Sequence, residues 1–210
     1  MKRVHAGWVG VATVLAVAAC GPQMSIKSTW KDPSIAATQY KKVLVVGLSG
    51  KETLRRTFEN EFSSELGRHG VTATPASSTL PPGAEKDQEQ MKQLLSAGGY
   101  DAVIVTRLVD RTKETTYVPG TAYTPAPYYG GFYSYYYTAY PMVYDPGYLV
   151  ESTIVQIETN VYDLQSGKLT WSGISEVVDP EASTEDVRYF SHMVGERMSK
   201  EGLIPAPAKS

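Results

Sequence analysis

Two strongly apolar segments and the amphipathic stretches around them predict the first half of the fold. Val43–Val46 is an unbroken apolar run, and Ala102–Leu108 is a second apolar segment. Segments of this length and composition are typical of strands that are buried on both faces of a sheet. The residues after the first strand predict a helix whose apolar positions recur at four-residue spacing: Leu54, Phe58, Phe62 and Leu66.

The ends of this helix are predicted by its flanking residues. Ser49, with Glu52 three residues later, matches a capping box, and Gly70 ends the pattern. The charged residues fall on the other faces of the helix: Arg55, Glu59 and Arg68. The neighbouring Arg55-Arg56 pair is therefore interpreted as part of a solvated helix face.

A second strand and a second helix follow in the same order. Val71–Thr74 predicts a short strand that Pro75 closes, and residues from about 85 to 97 predict a helix. The inward positions of this helix are Met91, Leu94 and Leu95. Successive strand–helix–strand units imply right-handed crossovers and a parallel sheet. The two apolar strands are then expected to lie side by side at its centre.

Alternation replaces the helical period in the second half of the chain. From Thr153 to Asp163, one face carries the apolar residues Val155, Ile157 and Val161, which predicts a half-buried antiparallel strand. A turn at Gln165–Lys168 leads into a partner strand that ends at Asp179-Pro180. The apolar positions of that partner strand are Leu169, Trp171 and Val177.

A final helix completes the predicted fold. Ser183 and Asp186 match a capping box at its start, and Gly202 ends it. Its apolar positions are Val187, Phe190, Val194 and Met198. The whole pattern predicts an α/β (α+β) fold with the order β-α-β-α-β-β-β-α, in which helices cover the faces of a mixed sheet. We expect one domain over residues 39–204, followed by a tail at 205–210.

The first residues have the pattern of an export signal. Basic Lys2 and Arg3 precede about 14 apolar and small residues, a length typical of a signal peptide and shorter than the roughly 20 residues that span a hydrocarbon core. Val17-Ala18-Ala19-Cys20 resembles the lipobox of bacterial lipoproteins. This resemblance implies a diacylglyceryl group on the Cys20 sulfur, cleavage before Cys20 and fatty acylation, for example with palmitate. An ordinary signal peptide with a chance cysteine is the alternative.

The residues after the lipobox indicate the membrane to which the protein is sorted and the net charge of the mature chain. Gly21, rather than aspartate, implies an outer-membrane destination by the sorting pattern of these lipoproteins, facing the periplasm, with surface exposure left open. Residues 20–38 are polar and irregular and predict a lipidated tether. Cleavage would remove two of the 20 basic residues and leave 18 against 22 acidic ones. This acidic balance disfavours nucleic acid as a partner.

A segment rich in tyrosine, glycine and proline separates the third and fourth predicted strands, over residues 119–148. Eleven of the 15 tyrosines lie between Tyr117 and Tyr148. Tyrosine is a large amphipathic contact residue, so an interaction loop for an envelope protein, the peptidoglycan or a polysaccharide is one interpretation. A solvated low-complexity insertion and a catalytic lid are the alternatives. The candidate partner-binding residues are Tyr128, Tyr129, Phe132, Tyr133, Tyr135, Tyr136, Tyr137 and Tyr140.

The remaining chain offers little catalytic chemistry. Gly50-Lys51 lacks the rest of a phosphate-binding loop, and His69 and His192 have no partner at metal-ligand spacing. Glu158 is a weak site candidate on a polar strand face, while Trp30 and Trp171 are interpreted as packing residues, although an aromatic residue near a sheet edge could serve a partner. We therefore expect a non-enzymatic protein without cofactor or metal; a cell-wall ligand-binding protein or hydrolase is the alternative.

Four ordered motifs resemble a widespread family of uncharacterised Gram-negative envelope lipoproteins. They are Ser28–Pro33 (STWKDP), Lys41–Gly47 (KKVLVVG), Arg55–Glu59 (RRTFE) and Tyr162–Trp171 (YDLQSGKLTW). The family implies an envelope location and no particular activity or site. The outline also resembles small α/β domains of lipoproteins that activate cell-wall synthases or build secretion pores. A pore is disfavoured by the charged residues Arg107, Asp110, Arg111, Lys113 and Glu114, which leave no obvious lipid-facing band.

Overall fold

A single mixed sheet organises the molecule. A computed structural model describes residues 23–34, 39–81, 87–119, 131, 133, 136–137 and 147–207. The strands are β1 (Gln23–Lys31), β2 (Lys42–Leu48), β3 (Thr72–Pro75), β4 (Ala102–Val118), β5 (Tyr148–Asp163) and β6 (Leu169–Val178). The helices that flank them are α1 (Glu52–Arg68), α2 (Ala76–Thr79), α3 (Gln88–Gly98) and α4 (Thr184–Lys200).

The strand order confirms the predicted mixture of parallel and antiparallel pairs. The sheet runs β1-β6-β5-β4-β2-β3. Strand β2 is parallel to both β3 and β4, and the β2–β4 register places Leu44 opposite Val103, so the two apolar strands are adjacent as expected. The pairs β4–β5, β5–β6 and β6–β1 are antiparallel.

The helices lie on opposite faces of this sheet. Helices α1 and α4 pack on one face, where the main core joins strand residues such as Val43 and Ile104 to the predicted helix stripes. Phe62 and Leu66 of α1 and Met198 of α4 are fully buried there. On the other face, α2 and α3 cover a smaller cluster around Leu44, Ala76 and Val103. None of the helices formed by the described residues is long and apolar enough to span a bilayer.

Nine residues of the expected tether form a strand. Residues 23–31, predicted to be irregular, form β1, which pairs with β6 from Gln23↔Val178 to Lys31↔Trp171. Its apolar alternation is limited to Met24 and Ile26, because a register shift between Ile26 and Ser28 interrupts the period. The sheet formed by the described residues therefore has six strands rather than the predicted five. The domain reaches back to within three residues of Cys20, which itself lies outside that part of the chain.

Two expectations about α1 are wrong. Helix α1 begins at Glu52 with Lys51 as its N-cap and no side-chain cap bond, because the Ser49 hydroxyl accepts a bond from the Lys51 N–H instead. Glu59, expected on a polar face, is fully buried. Its carboxylate accepts N–H bonds from Gly47 at 2.9 Å and Ser77 at 2.7 Å, so it joins the end of β2 to the start of α2.

Several local predictions are confirmed and others need adjustment. The capping box of Ser183 and Asp186 forms at the start of α4, with both of its hydrogen bonds present. Helix α3 begins at Gln88, capped by Asp87, and no residue in it is fully buried. Strands β4 and β5 are both longer than predicted, since they continue to Val118 and start from Tyr148. This extra length extends the β4–β5 pair beyond the neighbouring strands.

Candidate functional site

The outer halves of β4 and β5 form a two-stranded ribbon that leaves the sheet. Pairing with β2 ends at Leu48↔Arg107, and pairing of β5 with β6 ends at Ile154↔Val178. The β4–β5 ladder nevertheless continues to Val118↔Tyr148. We define the ribbon as residues 113–118 and 148–153, six pairs that have no other strand beside them. At about 3.3 Å per residue, it projects roughly 20 Å from the sheet.

Residue type and a bulge explain why these strands continue beyond the core. Thr115, Thr116, Tyr117 and Val118 have the β-branched or aromatic side chains that favour extended backbone. The register shifts by one residue between Leu108 and Asp110, and such bulges bend a strand and increase its twist. The ribbon therefore departs from the sheet where the strand beside it ends.

Polarity changes along the length of the ribbon. Near the sheet, the paired residues are polar on both faces, and Lys113 forms an ion pair with Glu151. At the tip, Tyr117 lies opposite Leu149 and Val118 opposite Tyr148. Leu149 is 69% exposed, and Tyr117 and Tyr148 are 60% and 61% exposed. The tip thus displays apolar and aromatic surface that the domain does not use for its core.

The predicted loop tyrosines are only partly described. Tyr133 and Tyr137 are exposed, and Tyr136 is partly so, with its ring edge-on to that of Tyr137 at a centroid distance of 5.6 Å. The other partner-binding candidates lie outside the described residues: Tyr128, Tyr129, Phe132, Tyr135 and Tyr140. The ribbon residues Leu149 and Val150 were not among the candidates. The β-branched run before the loop was the signal that could have indicated them.

His69 and His192 both approach the Glu65 carboxylate between α1 and α4. His192 of α4 donates to Glu65 of α1 at 2.9 Å, and the Glu65 carboxylate also accepts from Arg68 at 3.0 Å. His69, which is buried, donates through Nδ1 to the carbonyl of Pro205 at 3.0 Å. This cluster links α1, α4 and the chain after α4. Among the described residues, no group of three or more metal-ligating side chains is arranged to hold a metal ion.

A cleft of about 660 Å³ lies at the end of the sheet opposite the ribbon. Its lining includes Tyr40, Tyr100, Asp101 and Asp163. Burial raises the pKa of the Tyr40 phenol above its ordinary value, although its hydrogen bond with Thr170 opposes that shift. One carboxylate oxygen of Asp101 accepts the N–H groups of Lys41 and Lys42 at 2.9 and 2.8 Å, which closes a loop.

The remaining candidates from the sequence divide by exposure. Glu158 forms an ion pair with Arg107 at 2.8 Å across the β4–β5 ladder. Trp171 is buried, as expected of a packing residue, and its indole donates to Glu201 at 2.7 Å. Trp30 is 48% exposed on the edge strand β1, which does not fit the packing residue expected and leaves the alternative of an aromatic residue at a sheet edge.

Comparison with known proteins gives only distant likenesses. No protein-family model matches the chain, and no curated protein matches it in sequence. Among solved structures it is similar to the PelC dodecamer from Paraburkholderia phytofirmans, at 10% identity over 86% of this chain and 99% of that one, with a TM-score of 0.45. It is also similar to the lipoprotein GNA1162 from Neisseria meningitidis, at 13% identity over 76% of this chain and 99% of that one, with a TM-score of 0.42.

Proposed function

We propose that this chain is a non-enzymatic accessory lipoprotein of the Gram-negative cell envelope. Lipid on Cys20 holds it at the outer membrane, facing the periplasm, and the ribbon with its tyrosine-rich loop contacts an envelope partner. The lipobox and the four family-like motifs support the location. The observation that carries the contact is the ribbon tip, where Tyr117, Tyr148 and Leu149 are exposed outside the core. Exposed apolar surface of this kind is characteristic of interaction sites.

The anchor is tested by replacing its single sulfur. In Cys20→Ser cells, we expect the protein to leave the membrane fraction, because a soluble α/β domain without acyl chains has no stable hold on a bilayer. Serine is the matched change, since it preserves the size of the side chain and removes the acylated atom. If the processed variant still sediments with envelope vesicles, the anchor is not on Cys20.

The contact is tested by crosslinking in intact cells. The wild type is compared with a variant that lacks residues 128–140, which retains the ribbon and the domain. We expect crosslinked products in the wild type that are missing from the deletion variant. Identical products in both would contradict a role for the loop in binding an envelope protein, the peptidoglycan or a polysaccharide.

A cell-wall ligand-binding protein or hydrolase is a second candidate, because the cleft has the volume of a small-molecule site. The bonds that its carboxylates already make weigh against hydrolysis. Asp163 accepts both the N–H and the hydroxyl of Ser166 at 2.6 Å, and Asp101 holds the two N–H groups described above. Soluble peptidoglycan fragments that shift the NMR signals of Tyr100 and Leu164, without being cleaved, would favour binding in the cleft.

A further inference from the structure

We propose, building on the lipid anchor proposed above, that the partner of the ribbon tip is the membrane that holds Cys20: the tip lies in the headgroup region of a phospholipid bilayer. The feature that leads there is the position of β1. Gln23, the first residue the structure describes, pairs with Val178, which pairs with Ile154, which lies opposite Thr112. This row is the base of the ribbon, so the chain enters the domain at the end from which the ribbon projects.

The direction of β1 determines which end of the domain the anchor reaches. Strand β1 runs from Gln23 toward Lys31, away from the ribbon. Cys20 precedes Gln23 by three residues, a span of at most about 11 Å even when fully extended. Strand β1 is two strands from β5, a lateral distance of about 10 Å at normal strand spacing. A lipid on Cys20 therefore brings the ribbon end of the sheet to the membrane.

The length of the ribbon then brings its tip into contact. The ribbon extends roughly 20 Å beyond the level of Gln23, whereas Cys20 can lie at most about 11 Å beyond it. If the ribbon axis is tilted by about 50° from the line that joins Gln23 to Cys20, the tip still extends as far along that line as Cys20 does. The tether predicted over residues 20–38 would have let the domain lie far from the lipid in any orientation. Because β1 begins at Gln23, the base of the ribbon must instead stay close to Cys20.

The distribution of apolar side chains around the tip fits contact with a membrane–water interface. Tyr117 and Leu149 share the face that bears α1 and α4, while Val118, Tyr148 and Val150 share the opposite face. Both faces of the ribbon are apolar at the tip and polar toward the sheet, as expected for a segment whose outer part reaches the bilayer surface. Tyrosine is also a residue favoured at membrane–water interfaces.

Charge indicates the kind of bilayer surface. In the strand segments 110–118 and 148–152, the charged residues are two basic and three acidic: Arg111, Lys113, Asp110, Glu114 and Glu151. This balance provides no attraction for anionic lipids. We therefore expect the tip to contact zwitterionic phospholipid headgroups. This contact should not depend on added phosphatidylglycerol.

The experiment uses an environment-sensitive dye on the lipidated protein. Cys20 is the only cysteine and is blocked by lipid, so Leu149→Cys provides a unique labelling site at the tip. Ser166→Cys is the matched control, because Ser166 is exposed in the turn after β5, at the far end of the sheet. Both proteins are reconstituted into phosphatidylethanolamine–phosphatidylcholine vesicles, with and without brominated acyl chains.

We expect brominated lipid to quench the dye at residue 149 by about twofold or more and to leave the dye at 166 nearly unquenched, since only the tip reaches the headgroup region. Equal, water-like emission at both positions in protein that floats with the vesicles would overturn the ribbon contact and leave the anchor intact. Protein that fails to float with the vesicles would instead count against the lipid anchor. A dye at 149 that is shielded equally without vesicles would indicate contact with another copy of the chain and would also overturn the proposal.

Discussion

Strands β4 and β5 pass through two different environments along their length. In the inner halves, Ile104 and Val161 lie opposite each other under α1 and α4 and are buried. In the outer halves, Tyr117 and Leu149 also lie opposite each other, but both are more than half exposed. The residue types are similar in the two regions, and their cross-strand pairing is continuous. What differs is the presence of helices and neighbouring strands.

This difference separates stability from function within the same pair of strands. A side chain of the inner half is removed from water on folding, and complete burial of a large apolar group stabilises the domain by about 1.5–3 kcal/mol. A side chain at the ribbon tip remains in water and contributes little. Its apolar character has no explanation in the fold, which is why the tip is interpreted as a contact surface.

The largest expected effect comes from emptying the core. Phe62 is fully buried and stacks on Phe58 at a centroid distance of 5.4 Å. Phe62→Ala removes most of the ring volume from between α1 and the sheet, so we expect the free energy of unfolding to fall by about 3–5 kcal/mol. The measurement is urea unfolding of the lipid-free Cys20→Ser protein, followed by circular dichroism.

The matched aromatic change in the ribbon is Tyr148→Ala. Tyr148 is 61% exposed, so we expect the same measurement to change by less than about 0.5 kcal/mol. Comparable losses for the two variants would show that the ribbon is part of the cooperative core and would remove the distinction between the regions.

A smaller effect is expected from the buried carboxylate of α1. Glu59→Ala leaves the buried N–H of Gly47 and the partly buried N–H of Ser77 without their acceptor. We expect a loss of about 2–3 kcal/mol in the free energy of unfolding, since charged acceptors of this kind contribute more than neutral ones.

The control for Glu59 is Glu61, which lies two residues further along α1. Glu61 forms an exposed ion pair with Arg188 at 3.1 Å. Glu61→Ala should cost no more than about 1 kcal/mol, because solvent screens such pairs. If the two variants behave alike, the Glu59 carboxylate is not the link between β2 and α2 that its hydrogen bonds indicate.

The predictions from sequence succeeded where a local pattern decides the outcome. The run at Val43–Val46, the four-residue stripe of α1 and the capping box of α4 each specify an element through contacts between near neighbours. Glu59 was misplaced because its two partners lie 12 and 18 residues away. From the sequence alone, a charged residue such as Glu59 is predicted to be exposed, because the N–H groups that it binds are distant in the sequence.

The candidate site was predicted in part, for a related reason. The tyrosine-rich segment and its limits near residues 119 and 148 were visible, since glycine and proline interrupt any regular period. The ribbon was missed because its exposed strands have no buried face and so produce no alternation of apolar and polar residues. Strand β1 was missed because its alternation is short, since the register shift after Ile26 interrupts it. Its position, with Gln23 level with the base of the ribbon, depends on pairing with β6, which is distant in the sequence.

The smallest effect is expected when the loop itself is removed. Deletion of residues 121–146 joins Gly120 to Gly147 and leaves Pro119-Gly120-Gly147 as a three-residue connection between Val118 and Tyr148, which are already paired. Glycine tolerates the positive φ that short hairpin loops need, so the ribbon should form. Shortening the loop lowers the entropic free-energy cost of closing it by about 2 kcal/mol at most. This change stabilises the ribbon rather than the core. We therefore expect the Tm of the lipid-free protein in calorimetry to change by less than about 2 °C. A fall of several degrees would mean that the loop packs on the domain, and the contrast between a stabilising core and an independent ribbon would no longer hold.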